Sequence, residues 1–433
     1  MPCKFFGCVF AALSFCILAI ASADDPTADA PETEGDSLVD DATHVEIESI
    51  RIELGVKGKI ETMAMDRDGR LLLGVSSIDP KKAEARRIEE EKRRREEMER
   101  QRREREEKTA KKSAEVKSNE PPDPEADKNL DAKDKTSPSQ SNERPPPKRR
   151  PPRRRFDDSA LRQFSLKIVN PETGEVVKSV SMDDVKPKMI HGCPNGDMYV
   201  CDNKAIVLYD NDGETVKRVE LVDLFEGEYK NVAASGVTVC DKYFFVALGV
   251  GGSLRATEDV VRLDRDLQNP VVIVKKQFGC CAHLDLDVKD DVLLVAENSR
   301  HRVNRLNFEG EKLSSWGKRD RTNIEGFAAC CNPTNIDFGP NNVLYTAESG
   351  VGRVKRYTAD GEYLGLVGYV DTTKFDRGSG LAAASCYIPV EVSSDGKRIY
   401  VMDVRAHIVR VLAEKEGQTS EEKPPTATGG DSP

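Results

Sequence analysis

The sequence predicts an all-β protein, a six-bladed β-propeller with a charged, partly helical and partly disordered insertion in blade one. The first observation is a repeat of short β-rich runs around turns marked by Gly196, Lys242, Asp291, Asn341 and Gly396, at steps of 46, 49, 50 and 55 residues. The second is that units such as "RVNRLNFEGEKLSSWG" add another hairpin after the turn. Since one four-stranded unit cannot cover both faces of its sheet, radial stacking is expected.

The N-terminal segment 1–23 is typical of a secretory signal peptide. Its lysine precedes a short apolar run, and it ends in Ala21-Ser22-Ala23, which fits cleavage before Asp24. The run is too short for a comfortable membrane span. We therefore expect a secreted or periplasmic protein without a transmembrane segment after cleavage. The acidic segment 24–43 that follows is predicted to be a disordered leader.

The propeller is assigned to residues 44–79 and 156–413, with a disordered polar tail at 414–433. Blade six, at 386–412, supplies only three strands. The alternating segment 44–56, "HVEIESIRIELGV", is available as its outer strand. Adding it there closes the ring, and closure protects an edge that would otherwise be uncovered.

The segment 80–155 is predicted to be an insertion between the second and third strands of blade one. Its first part is coiled-coil-like in composition, but its large apolar residues Ile88 and Met98 form no heptad seam, so a solvated single helix is expected. A linker-like stretch and the polybasic "RPPPKRRPPRRR" at 144–155 follow. This last segment is interpreted either as disordered or as an electrostatic attachment to an anionic envelope polymer or surface.

Several repeats resemble NHL repeats. In "VLLVAENSRHRVNRLNFEGEKLSSWG" and "VLYTAESGVGRVKRYTADGEYLGLVG", a strand ends in an acid, a short loop leads to Arg-Val, and a strand leads to a turn. The resemblance is good over about 280–412 and weaker over 186–276. It implies a propeller that serves as a binding platform, while a minority of relatives are lyases or hydrolases with a metal in the channel. The motif specifies fold better than function.

The cysteines recur at corresponding places. Eleven are present, three of them in the predicted signal peptide. Cys281, Cys331 and Cys386 each lie ten residues before the turn marker of their blade, and Cys280 and Cys330 precede two of them. Equivalent positions in a propeller are related by its pseudo-rotation axis. These five thiols are therefore expected to converge at the rim of the channel.

Four interpretations of the thiols stay open. Disulfides between neighbouring blades are the default in an oxidising compartment. A bond within an adjacent cysteine pair would be strained and reducible. A thiolate-bound metal, such as zinc, copper(I) or an iron–sulfur centre, is the third. Its candidate ligands are Cys280, Cys281, Cys330, Cys331, Cys386 and His283. Buried free thiols are the fourth, and Cys201 and Cys240 are interpreted mainly in this way.

Acid–arginine pairs define a candidate binding face. The interpretation as a ligand-binding surface stands beside a simpler one, in which each ion pair only fixes a loop. The residues of this face are Glu297, His301, Arg302, Glu348, Arg353, Asp403 and His407. No catalytic residues can be assigned, because no nucleophile elbow, phosphate loop or metalloprotease motif is readable.

The function predicted from the sequence is that of an exported binding scaffold. A protein or small-molecule ligand would bind at the channel mouth or on the loop face, with blades four to six favoured. The net charge of −10 argues against nucleic acid as a partner. The alternative is a metal-binding or redox protein, or an enzyme, that uses the cysteine rim. Enzyme activity is less expected than binding.

Overall fold

The structure is a computed structural model. It describes residues 41–118, 159–182, 185–193, 195–225, 232–250, 257–280, 283–329, 331–370 and 387–416. The predicted signal peptide, nearly all of the acidic leader, the basic segment 144–155 and most of the polar tail lie outside these residues. Cys281, Cys330 and Cys386 lie outside them as well.

The described residues form six four-stranded antiparallel sheets, which are the six blades of a propeller. The predicted fold class is therefore confirmed. The strands of blade one are β2 (Lys59–Met65), β3 (Leu71–Ile78), β4 (Arg162–Val169) and β5 (Val176–Ser181). Those of blade two are β6 (Met189–Gly192), β7 (Met198–Cys201), β8 (Ala205–Tyr209) and β9 (Thr215–Glu220). Those of blade three are β10 (Val232–Val239), β11 (Tyr243–Val250), β12 (Thr257–Asp264) and β13 (Val271–Phe278).

The other three blades follow the same order. Blade four contains β14 (Asp285–Lys289), β15 (Val292–Glu297), β16 (Arg302–Leu306) and β17 (Lys312–Trp316). Blade five contains β18 (Asn335–Phe338), β19 (Val343–Glu348), β20 (Arg353–Thr358) and β21 (Tyr363–Tyr369). Blade six contains β22 (Val390–Val392), β23 (Arg398–Asp403), β24 (Ile408–Glu414) and β1 (His44–Glu46). Short 3₁₀ turns lie at Ser159–Leu161, Leu221–Asp223, Asn298–Arg300 and Pro340–Asn342.

The ring is closed by strand β1, which pairs with β24 as the outer strand of blade six. The strand is shorter than the predicted segment 44–56. Beyond it, Ile50 keeps one isolated bridge to Val409 and packs into the core between blades six and one. The chain then leaves the outer edge of blade six and enters the innermost strand of blade one, which explains why the alternating pattern does not continue as one strand.

The hydrophobic core is divided among the blade interfaces. In the described residues, six apolar clusters each join one pair of neighbouring blades. Between blades two and three, for example, the rings of Tyr199 and Phe244 lie 4.7 Å apart. Each sheet is therefore apolar on both faces, as a blade covered on two sides requires.

The insertion begins with one long charged helix, Pro80–Ser118, which follows strand β3 directly. Ion pairs four residues apart run along it, such as Arg103–Glu99 at 2.9 Å and Lys111–Glu107 at 2.7 Å. Ile88 and Met98 are 59% and 57% exposed, which agrees with the absence of a heptad seam. In the part of the chain that the structure describes, no helix combines the length and the apolar character needed to cross a membrane.

Candidate functional site in the central channel

Carboxylates on the innermost strands of blades four to six face the central channel and bind the next blade. Asp285 Oδ2 accepts the backbone N–H of Ile336 at 2.7 Å, and Asp287 Oδ2 accepts that of Phe338 at 2.7 Å. One blade further, Asp337 Oδ2 accepts the N–H of Val392 at 2.6 Å.

Glu391, on the innermost strand of blade six, repeats the arrangement by accepting the backbone N–H of Met65 in blade one. Each of the four carboxylates thus bridges two neighbouring blades.

These four carboxylates border a cavity of about 410 Å³ within the channel. Its described lining holds six carboxyl groups and one guanidinium, that of Arg67. The acidic members are Asp66, Asp68, Asp285, Asp287, Asp337 and Glu391. Arg67 is half-exposed and pairs with Asp68 at 3.5 Å, so its charge is already shared. The cavity is therefore acidic, and its volume falls in the range of small-molecule sites.

Enclosure by the blades raises the pKa values of these carboxyl groups. Loss of bulk water raises the pKa of Asp285 to about 7 and that of Asp287 to about 6. For Asp337 and Glu391, burial and then the neighbouring carboxylates raise the pKa well above its usual range. All four residues line the cavity. These carboxyl groups therefore keep their protons to a higher pH than ordinary aspartic and glutamic acids do.

The nearby bases do not neutralise the acidic wall completely. Burial lowers the pKa of His191, which also lines the cavity, to about 4, so its ring is neutral at pH 7. The Lys289 ammonium donates to the Gly339 carbonyl oxygen at 2.8 Å and favours the ionised forms of Asp287 and Asp337. Lys289 thus offsets the charge of two of the four carboxyl groups.

Toward the starts of the innermost strands, the wall contains Asn335, Thr62 and Tyr387. Asn335 is 6% exposed, and its Oδ1 atom has no hydrogen-bond partner. The His283 ring lies next to it and packs edge-on against Tyr387 at 4.6 Å between ring centroids. The Tyr387 hydroxyl and Thr62 Oγ1 are hydrogen-bonded at 2.9 Å.

Two of the five rim cysteines are described, and the fold brings them together. The Sγ atoms of Cys280 and Cys331 lie 2.8 Å apart, between the entry segments of blades four and five. This separation is longer than the bond of about 2.05 Å in a disulfide. Convergence of these two thiols agrees with the argument from the pseudo-rotation axis, and at this separation the two are not joined to each other by a disulfide. The other predicted pairings involve cysteines outside the described residues. Cys193 and Cys201 are buried free thiols, and Cys240 is half-buried.

A thiolate-bound metal needs more ligands than the described residues provide. Among them, no three His, Cys, Asp or Glu side chains are grouped closely enough to hold an ion. The His283 ring is buried, and burial first of all lowers its pKa to about 3. A metal at this rim would thus require Cys281, Cys330 or Cys386, which lie outside the described residues.

The acid–arginine pairs of the predicted binding face are buried ion pairs. Glu297 binds Arg302 and also accepts the backbone N–H of Phe278 at 3.1 Å. Glu348, which is fully buried, binds Arg353 Nε at 2.8 Å and Lys355 Nζ at 2.9 Å. Each pair joins the ends of neighbouring strands, and Arg353 and Lys355 also donate to the Gly326 carbonyl oxygen in the loop before blade five. A role in ligand binding stays a prediction.

In blade six, Asp403 pairs with a different residue from His407, the one noted in the sequence. Asp403 binds Arg410 Nη2 at 2.7 Å, whereas His407 occupies a left-handed turn position between them. His301 takes the corresponding left-handed position in blade four, and its Nδ1 lies 3.2 Å from the Asn332 carbonyl oxygen. Arg410 was missed because it lies within a strand rather than at its start.

Sequence reasoning also missed the carboxylates of the channel. A signal was present, because "LDLDV", "NIDFG" and "PVEVS" place an acid at matching positions of apolar innermost strands. These acids lie on the innermost strands, and the structure places them along the cavity. The repeat alignment that located the cysteines could have located Asp287, Asp337 and Glu391.

Fold and site together define a six-bladed β-propeller with an acidic channel cavity. No family model matches the chain. No curated protein matches it either.

Among solved structures, similar folds include a calcium-binding regucalcin from Agrobacterium tumefaciens, with a TM-score of 0.41 and 11% identity over 58% of this chain and 85% of that one. A gluconolactonase from Xanthomonas campestris has a TM-score of 0.40 and 12% identity, covering 59% of this chain and 84% of the other. A virginiamycin B lyase from Staphylococcus aureus has a TM-score of 0.36 and 16% identity, covering 59% and 77%. At these identities the likeness concerns the fold alone.

Proposed function

We propose that this chain is an exported, NHL-like β-propeller that serves as a binding scaffold, with its ligand held in the channel cavity. The observation that carries the proposal is the convergence of Asp287, Asp337 and Glu391, from three neighbouring blades, on one cavity of about 410 Å³. A rigid ring of blades holds such a site in place without a ligand, which favours binding. The ligand is a small molecule or a side chain of a partner protein.

A blocking substitution tests this location. Ser394 is exposed and lines the cavity at the turn between β22 and β23, so Ser394→Trp should cover the opening. Lys397→Trp, in the same turn but outside the lining, is the matched control. Ligands found by thermal shift on the native chain should still bind the control and should lose their effect on Ser394→Trp. An equal thermal shift in both variants would rule out the channel as the binding site.

A second candidate, a redox role, rests on the 2.8 Å separation of Cys280 and Cys331. An oxidant such as a protein disulfide would accept two electrons and two protons while the two thiols become a disulfide. Counting free thiols and metal content on the purified mature protein separates the alternatives. Stoichiometric metal that is lost in Cys331→Ser would favour a metal site. An accessible Cys280–Cys331 disulfide without metal would favour redox chemistry.

A further inference from the structure

The chemistry of the cavity wall identifies a class of ligand. We propose that the channel cavity binds a compact organic cation, an ammonium or guanidinium group on a short aliphatic stem. This inference rests on the proposed function, because it assigns the ligand of the same cavity. The cation is either a free amine or a lysine or arginine side chain of a partner protein.

The first argument is the sign of the charge. Six carboxyl groups and one arginine line the cavity in the described structure, and His191 is neutral there. Low-dielectric walls of one charge sign concentrate ligands of the opposite sign. A bound cation would favour the ionised forms of Asp337 and Glu391, whereas an anion would disfavour them and would meet only Arg67 as a cationic side chain in the described lining.

The second argument is the supply of hydrogen-bond acceptors. Asp285 and Asp337 each use Oδ2 for the next blade, at 2.7 and 2.6 Å. Independently of the carboxylates, Asn335 lines the cavity, and its Oδ1 atom, which lies beside the His283 ring, is a buried acceptor without a hydrogen-bond partner. A buried acceptor without a partner is costly, and a donor on the ligand removes that cost. Ammonium and guanidinium groups carry several donors and no acceptor.

The third argument separates an organic cation from a metal ion. No group of three metal-ligating side chains lies close enough around an ion in the part of the chain that the structure describes. The cavity is also far larger than one ion requires, and apolar side chains such as Met189, Ile190 and Val237 form part of its lining. Tyr387 and Phe338 add aromatic rings, which attract cations to their faces. A charged head and a short aliphatic stem match this mixed wall.

The test measures binding by calorimetry on the full chain at pH 8 and 150 mM salt, where surface attraction is screened. The probes are putrescine and agmatine, with butane-1,4-diol and succinate as the neutral and anionic counterparts. N-acetyl-lysine amide and N-acetyl-arginine amide represent a partner's side chain. We expect at least one of the four cations to bind, while the diol and succinate do not.

Isosteric variants connect binding to the cavity. Asp337→Asn and Glu391→Gln keep an oxygen that can accept the N–H of the next blade, so both should fold. Each should weaken cation binding at least about tenfold, as expected for loss of a charge-assisted hydrogen bond. Asp360→Asn, which removes an exposed carboxylate paired with Arg305 at 3.0 Å, should leave binding unchanged.

Each outcome of this test either supports or overturns a stated part of the proposal. Binding of putrescine or agmatine that falls in Asp337→Asn supports a free amine, and binding of only the amino-acid amides supports a partner's side chain. Absence of binding by all four cations, equal binding to Asp337→Asn, or preference for Ca²⁺ or Mg²⁺ overturns the inference. If the diol or succinate binds and Ser394→Trp blocks it, the proposed function stands and only the cation assignment fails. If Ser394→Trp blocks no ligand, the proposed function itself fails.

Discussion

Carboxylates in this propeller have one of two roles: some line the channel cavity, and others form buried ion pairs. Asp337 uses one oxygen to bind blade six and keeps the rest of its side chain at the cavity. Glu348, by contrast, is enclosed by Arg353 and Lys355 and has no exposed surface. The first arrangement retains capacity for a ligand. The second is a closed ion cluster that holds a loop.

The raised pKa of Asp337 predicts a stability effect that grows with pH. Its folded-state pKa lies above the ordinary 3.8, so its contribution to stability is fully present below pH 3.8 and is lost as pH rises through the folded pKa. Asp337→Asn should therefore gain in melting temperature relative to the native chain between pH 5 and pH 8. The charged and titratable groups around Asp337 are the same in both proteins, so their effects largely cancel in the difference in melting temperature. These groups are Asp285, Asp287, Glu391, Lys289 and neutral His191.

Parallel thermal melts at pH 5, 6.5 and 8 measure this gain, with Asp360→Asn as the control. The control should show no pH-dependent difference from the native chain, because Asp360 is 70% exposed. A constant difference between Asp337→Asn and the native protein across this range would contradict the raised pKa.

The buried cluster of Glu348 predicts a large cost when its charge is removed. Glu348→Gln would leave Arg353 and Lys355 buried without a counter-charge, which should cost about 3–5 kcal/mol of unfolding free energy. Asp360→Asn, at an exposed pair, should cost less than about 1 kcal/mol. Denaturant unfolding of both variants measures the contrast. Similar small costs would show that the cluster does not stabilise the loop.

At the scale of elements, the insertion illustrates how a blade accepts a long excursion. The partners Ile78 and Arg162 are paired across β3 and β4, and the N–H of Asp79 donates to the Leu161 carbonyl oxygen at 2.9 Å. The hairpin is therefore closed beneath the insertion. The charged helix meets its own hydrogen-bonding needs and exposes Ile88 and Met98, so we expect the blade not to depend on it.

Deleting residues 80–155 should leave the propeller folded. The remaining connection, 156–161, is long enough to join β3 to β4, and loop entropy changes slowly with length. We expect a single cooperative unfolding transition with a midpoint close to that of the full chain, measured by circular dichroism or calorimetry. Loss of that transition would show that the insertion belongs to the folding unit.

At the scale of the whole molecule, closure of the ring depends on a short strand. β1 pairs with β24 over three residues, and Glu46 binds Arg410 Nη1 at 2.6 Å. His44 Nε2 lies 3.1 Å from the Gly396 carbonyl oxygen. Every interface between blades depends on its neighbours, so a weak closing strand affects the complete ring.

Interrupting the closing strand should destabilise the whole propeller. Val45→Pro removes an N–H donor at the centre of β1, between residues that bond to β24 and its extension, and should cost about 3 kcal/mol. Val45 is half-exposed, so Val45→Thr is a matched control that keeps the backbone donor and should be close to neutral. Denaturant unfolding compares the two. Equal stability of the variants would show that β1 does not contribute to closure.

The strands, turns and repeat of this protein can be predicted from its sequence, because each of these features depends on residues that are neighbours in the chain. Alternation of apolar side chains, turn residues every fifty positions and a helix without an apolar seam predict six blades and an exposed insertion. The same repeat placed Cys280 and Cys331 at one rim, and their Sγ atoms are in contact.

Side-chain partners, by contrast, were decided only by tertiary structure. Asp403 binds Arg410 rather than pairing near His407, and Asp287, Asp337 and Glu391 meet around one cavity although about fifty residues separate each from the next. The physical reason is that the rotation from blade to blade sets which atoms face the axis and how much water reaches them. Local pattern encodes the strands, while the charge and protonation of the channel arise from all the blades together.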